Sequence, residues 1–174
     1  MTVAFSGLGD FNVDISNWDV SSVTDMSNMF EATTSFNQPI GDWDVSNVIE
    51  MDFMFILAEA FNQPIGDWDV SSVTTMYYMF YYSPFNQPIG DWDVSSVIDM
   101  GYMFTATPFN QDIGNWDVSS VNYMPLMFGN ASSFNQPLGD WDVDSVTNCN
   151  EFCFNNPNWT LPKPNFTNCN SGCD

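Results

Sequence analysis

Aspartate is the one residue type of this sequence that recurs in a pattern able to do chemistry. Asp19, Asp44, Asp69, Asp93, Asp117 and Asp142 each follow a tryptophan, and Asp42, Asp67, Asp91 and Asp140 stand two residues before four of them. If the units that carry them stack, adjacent carboxylates at about 4.8 Å repel by about 1 kcal/mol in water, and more where water is partly excluded. Hydration, screening and hydrogen bonds from Ser46-type hydroxyls answer that cost in one reading. Divalent cations answer it in the other, with oxygen-only ligands suiting calcium, held weakly because a flat array gives each ion few ligands. An extended Asp42–Asp44 pair, about 7 Å apart, overlaps the spacing of an inverting glycosidase. Catalysis, however, needs two environments to separate acid from base, and equivalent pairs in nearly every unit supply none. No catalytic residue is assigned and the chain reads as a non-enzyme.

The charge balance narrows the partners. Twenty-two acidic residues face a single basic one, Lys163, with no histidine, for a net charge of −21. Nucleic acids and anionic membrane surfaces would be repelled, and histidine triads, arginine clamps and lysine Schiff bases are absent by composition. A content of 44% hydrophobic residues nonetheless demands a folded chain, and 174 residues suit one domain. No apolar run approaches a membrane span, and Met1 to Phe5 lack the basic start of a secretory signal. The expectation is a soluble segment without membrane insertion, either mature or cut from something longer.

What must position the aspartates is a repeat. Trp-Asp-Val begins at Trp18, Trp43, Trp68, Trp92, Trp116 and Trp141, in steps of 25, 25, 24, 24 and 25, and a Phe-Asn pair precedes each triplet. One unit reads FNQPIGDWDVSSVxxMxxMF. Ile40, Trp43 and Val45 alternate with Asp42, Asp44 and Ser46 as in a short strand, whereas Val48, Met51, Met54 and Phe55 recur at helical spacing. Ser22 with Asp25, Asn47 with Glu50 and Ser96 with Asp99 read as helix caps between the two. So small a unit cannot bury its own apolar face, which predicts an α/β solenoid of about six coils, with a parallel sheet on one side and helical turns on the other.

The units FNQPIGDWDVSSVTTMYYMF and FNQPIGDWDVSNVIEMDFMF resemble those of BspA-like leucine-rich-repeat surface proteins, over residues 5 to about 154. That resemblance implies surface display and adhesion. It also puts Ile40, Trp43 and Val45 in the leucine positions, with Asp42, Asp44 and Ser46 on an exposed, concave sheet.

Other columns divide between structure and recognition. The asparagines from Asn12 to Asn135 are expected to form an amide ladder, and tryptophan and methionine the core. A second stripe of Phe53, Tyr78, Tyr102 and Leu126, extended by Tyr81, points away from the methionine face and reads either as a lateral contact surface or as stacking without a partner. Sequons at Asn130, Asn158 and Asn165 occur about as often as chance allows, and glycosylation is plausible for the two beside prolines. VTNCNEFC is echoed by FTNCNSGC twenty residues on, so residues 155–174 read as a shortened capping coil after the solenoid of 11–154. Four cysteines allow three connectivities, or a zinc site. The register favours Cys149 with Cys169 and Cys153 with Cys173, in an oxidising compartment. Residues 1–10 read as a degenerate, uncapped first unit, and Phe5, Phe11 and Ile15 at that end of the stack are expected to lie open, so that either more chain precedes Met1 or something docks there.

Two functions follow as expectations. One is a recognition or adhesion module at a cell or virion surface, binding protein or glycan, with no cofactor beyond weakly held calcium. The other is a structural subunit that packs against copies of itself in a coat, sheath or filament.

Overall fold

The computed structural model describes residues 1–171 and 173. Successive units lie one upon another as coils, here numbered 1 to 6 from Phe11, Phe36, Phe61, Phe85, Phe109 and Phe134, with a partial coil before and a cap after. Their junctions rest on backbone bonds that run one way. In coil 3 the N–H groups of Met76, Tyr78, Phe80 and Tyr82 donate to the carbonyls of Asp99, Gly101, Met103 and Thr105 in coil 4, at 2.9–3.1 Å. The intervening amides close turns within the coil, Met79 to Met76, Tyr81 to Tyr78 and Ser83 to Phe80. Alternate peptide units therefore lie along the stack and across it, and coils 1 to 5 all show this arrangement.

This arrangement overturns the expected α/β leucine-rich-repeat solenoid. Among the described residues there is no helix and no sheet, only isolated parallel bridges from Asp25 to Glu50, Thr75, Asp99, Tyr123 and Asn148. The bridging residue precedes the methionine element and lies outside the Ile40–Val45 segment expected to be the strand. That segment is bent twice, by Trp43 N–H donating to Ile40 and Val48 N–H donating to Val45. The expected helical turn fails because Phe53, Tyr78, Tyr102 and Leu126 all have φ of 51–60°, and Leu57, Tyr82, Ala106 and Asn130 have φ of 56°. A right-handed helix needs negative φ throughout, whereas a positive φ at the third residue is the mark of a type II turn. The expected caps consequently have no helix to cap: Asp25 and Asp99 instead accept the N–H of Ser27 and Gly101 two residues on.

Side chains lace the coils together as well. Each asparagine of the Phe-Asn pair accepts, through Oδ1, the backbone N–H of the next one, from Asn12–Asn37 to Asn110–Asn135, at 2.8–3.0 Å. Gln63, Gln87 and Gln111 reach back to the asparagine carbonyl of the preceding coil. Tryptophan Nε1 of coils 2 to 6 donates to an isoleucine carbonyl one coil earlier, at 3.1–3.2 Å. The polar groups of these columns are thereby satisfied, and Ser27 and Asn156 keep buried polar atoms without a partner.

The core fills the space inside these ladders. Phenylalanines stack where one coil passes into the next, Phe55 on Phe61 at 3.9 Å and Phe80 on Phe85 at 4.1 Å, and again along their column, Phe55 on Phe80 at 5.7 Å. Methionine columns are fully buried beside them. In the cap, Cys149 and Cys153 occupy the methionine and phenylalanine columns and are bonded to Cys169 and Cys173, with Cα separations of 5.7 and 5.0 Å. Trp159 takes the last place of the phenylalanine column, against Phe134 at 4.8 Å. At the other end Ile15, expected to lie open, is 2% exposed, because coil 2 and the partial first coil enclose it; Trp18, with no full coil beneath it, is 45% exposed instead.

Glycine sets how closely the coils approach. A Cβ on Gly66 would stand 2.6 Å from the carbonyl oxygen of Pro88, which is backbone and cannot turn aside. Gly66→Ala should therefore destabilise the chain by about 1–3 kcal/mol, whereas Gly9→Ala, which meets only the Thr34 hydroxyl at 3.3 Å, should cost little. Denaturant midpoints of the two variants check this, and an unchanged midpoint for Gly66→Ala would mean the coils are not packed this tightly.

Candidate functional site

Two surfaces remain once the groups that hold the stack are set aside. The first is a groove of about 460 Å3 across coils 2 to 4, lined by Pro39, Gly41 and Asp42 and their counterparts Pro64, Gly66, Asp67, Pro88, Gly90 and Asp91. The chain bends at each Pro-Ile-Gly-Asp, the glycine brings the coils close, and the aspartate following it is left exposed at the groove.

The tryptophan-linked aspartates behave differently. Asp19, Asp44, Asp69, Asp93 and Asp117 are exposed, yet each Oδ1 accepts the hydroxyl and the N–H of the serine two residues on, the hydroxyl at 2.6–2.7 Å. Those serine bonds hold Asp19, Asp44, Asp93 and Asp117 below the ordinary aspartate value of 3.8. Asp142 closes the same turn through the N–H of Asp144 alone. Among the described residues no three carboxylates or cysteines converge on a point where a metal ion could be held. The aspartates, Asp140 included, thus stand as files, each bonded within its own coil or turned to solvent.

The second surface is aromatic. Tyr78 stacks on Tyr102 at 4.3 Å and on Phe53 at 5.3 Å, linking three coils. These rings are half-buried by one another and do not stand free of the stack as their column position suggested; Leu126 continues the file, also half-buried. Tyr77 meets Tyr78 edge-on at 4.5 Å, and Tyr81 and Tyr82 carry the surface outward. Sequence reasoning missed Tyr77, Tyr82 and Tyr123. A signal was present: Gly101 occupies the column of Tyr77, and a Cβ there would stand 3.0–3.1 Å from the rings of both Tyr123 and Tyr77. Burial pushes the hydroxyls of Tyr77, Tyr78, Tyr81 and Tyr123 upward, so they stay protonated at neutral pH.

Two carboxylates border these rings. Asp52 accepts the Thr75 hydroxyl and the Tyr77 N–H, and Asp99 accepts the N–H of Gly101. Burial raises both above 3.8 despite those bonds, and the charge of Asp52 adds to the shift of Asp99. Among the sequons, Asn130 Oδ1 accepts the Asn155 amide and Asn158 Nδ2 donates to Ser132, whereas Asn165 is exposed on the cap.

The two classes of carboxylate set opposite limbs of a stability profile. Asp52 and Asp99 take up protons in the folded chain before the unfolded one, so lowering the pH from neutral toward 3.8 relieves their cost and the melting temperature should rise. Below 3.8, Asp19, Asp44, Asp93 and Asp117 lose the ionised form that their serines favour, and it should fall. Relief of general repulsion acts on the same upper limb. Asp52→Asn combined with Asp99→Asn isolates the pair's share: thermal unfolding followed across pH should show a flatter upper limb and an unchanged lower one.

The two disulfides indicate an oxidising setting of the extracellular kind. No helix among the described residues is long and apolar enough to cross a membrane. No curated protein and no solved structure matches the chain. The family described as Mycoplasma protein of unknown function, DUF285, matches residues 1–108 and, in an overlapping second match, 82–162. With nearly the whole coil stack covered by those two matches, the chain belongs to the DUF285 family.

Proposed function

We propose that the chain is a non-catalytic recognition module of a surface protein, binding a protein or glycan partner through the faces it repeats. The observation that carries this reading is the division of roles within each unit. Phenylalanine, asparagine, glutamine, tryptophan and methionine are committed to stacking, while the Pro-Gly-Asp groove repeats over coils 2 to 4 with its carboxylates exposed. A face repeated at the spacing of the coils suits an extended ligand that itself repeats, such as a polypeptide strand or a glycan chain. Equivalent aspartates throughout argue against catalysis, which needs an acid and a base in different surroundings.

Kinship supports the same reading, since DUF285 is linked with BspA-like repeat proteins, which act in surface display and adhesion. That kinship and the disulfides support display on a cell or virion surface as part of this reading, and Asn165, exposed on the cap, is the sequon best placed to carry a glycan.

The structural-subunit reading has one observation in its favour. The partial coil and coil 1 leave Val3, Leu8, Val13 and Trp18 exposed, apolar surface that another copy could cover. Against it stand the stapled cap at the opposite end and a charge of −21 on every copy. Light scattering coupled to size exclusion at physiological salt decides between them. A 19.7 kDa monomer is expected, and ordered oligomers would transfer the function to assembly.

A further inference from the structure

All six tyrosines of the chain lie in coils 3 to 5, and each is in ring contact with another of them. Stacking does not explain their hydroxyls. Phe53 fills the column of Tyr78 one coil earlier and stacks without one, while Ile56 and Leu57 stand in the columns of Tyr81 and Tyr82. Phe53, Tyr78 and Tyr102 cover one another's faces and leave their edges. A phenol that loses an electron reacts at its edge, through the carbons beside the hydroxyl.

The rest of the surface offers a one-electron oxidant little else. The methionines of the repeat are buried, both cysteine pairs are bonded, and there is no histidine. The tryptophans from Trp43 onward are buried, and Trp18, at 45% exposure, lies in coil 1, away from the tyrosines. Tyr82 is 52% exposed, and Tyr78 and Tyr81 are half-buried.

Geometry selects one pair. Tyr78 and Tyr102 are parallel within 8° and meet face to face, and Tyr77 meets Tyr78 edge to face at 84°. Tyr81 lies 4.9 Å from Tyr78 at a tilt of 56°, little more than two ring radii and one carbon–carbon bond. Its N–H donates to the Tyr78 carbonyl at 3.2 Å, so a backbone turn holds the two rings together. Tyr82 is as near to Tyr81, at 4.7 Å, but the two are consecutive, and joining their rings would close a strained cycle through a single planar peptide. We propose that Tyr78 and Tyr81 form an oxidative modification site, joined as dityrosine by a peroxide-consuming peroxidase. Each phenol loses one electron and one proton, and the two radicals form a carbon–carbon bond between carbons beside the hydroxyls. Each bonded carbon then releases its hydrogen as a proton and each oxygen takes one up, which restores both phenols. Hydrogen peroxide accepts the two electrons and two protons and leaves as water. The bond spans the turn at Tyr78, and the oxidising setting that the disulfides indicate suits it. Radicals held in contact pair faster than radicals on two chains that each carry −21. This site is separate from the Pro-Gly-Asp groove and does not rest on the recognition reading.

The test treats the intact chain with a haem peroxidase and one equivalent of hydrogen peroxide, followed by dityrosine fluorescence, denaturing electrophoresis and peptide mapping. A monomer lighter by two hydrogens, with Tyr78 linked to Tyr81, is expected. Tyr81→Phe and Tyr78→Phe keep the rings, which an unchanged melting temperature verifies, and each should cut the dityrosine yield about tenfold or more, because the remaining phenol lacks an oriented partner. Tyr82→Phe and Tyr102→Phe leave the reacting edges in place and should retain about half the yield or more. Undiminished dityrosine in Tyr81→Phe, a link made through Tyr82, cross-linked dimers as the main product, or no dityrosine at all would each overturn the proposal.

Discussion

Everything in this fold depends on peptide units turned to lie along the stack. In coils 1 to 5, four per coil direct their N–H to the next coil and their carbonyl to the one before, as at Met76, Tyr78, Phe80 and Tyr82. To turn alternate units this way the chain must pass through left-handed φ twice in each coil, at Tyr78 and Tyr82 in coil 3 and at Tyr102 and Ala106 in coil 4. For residues other than glycine that costs about 1 kcal/mol or more each. Inter-coil bonds and side-chain stacking offset the cost, and the sites of strain coincide with the aromatic ladder: Phe53, Tyr78 and Tyr102 occupy the first left-handed position of three successive coils. The aromatic surface those rings form is thus a by-product of the backbone that positions them.

Because each coil satisfies the next, the ends differ from the middle. Asparagine reaches from one coil to the next, and glutamine and tryptophan from one coil to its predecessor, so an interior coil is held on both sides. The cap replaces the methionine and phenylalanine contacts by covalent bonds between stacked cysteines, where a short coil has little apolar surface to bury. The first coil has neither a full coil beneath it nor a staple, and it is there that Trp18 leaves the core that encloses Trp43 and Trp68.

Much of this could be read from residue order, and the part that could not has a definite cause. The repeat length gives the register, and the register gives the buried columns, the asparagine ladder and the alignment of Cys149 over Cys169. The 24-residue steps are legible too, since single prolines, Pro84 and Pro108, stand where longer coils have two residues such as Glu59 and Ala60. The conformation between those columns was not legible. Burial at Met51, Met54 and Phe55 is what a helix would give, and it is also what consecutive turns give, because periodicity reports which side chains go inward and is silent on the sign of φ. Nothing in Phe53, Tyr78 or Tyr102 announces a left-handed residue, as glycine or asparagine would. The same blindness hid Tyr77 and Tyr123, which meet only because alternate peptide units place their columns side by side.

Direct detection of the hydrogen bonds tests this architecture most sharply. NMR couplings transmitted through hydrogen bonds should link Phe80 N–H to the Met103 carbonyl and Tyr82 N–H to that of Thr105, one coil ahead in each case. Ser83 N–H should instead couple to Phe80 within its own coil. Couplings from Phe80 and Tyr82 to carbonyls four residues earlier would restore the helical turn and contradict the stack of aligned peptide units on which the fold and both of its candidate surfaces rest.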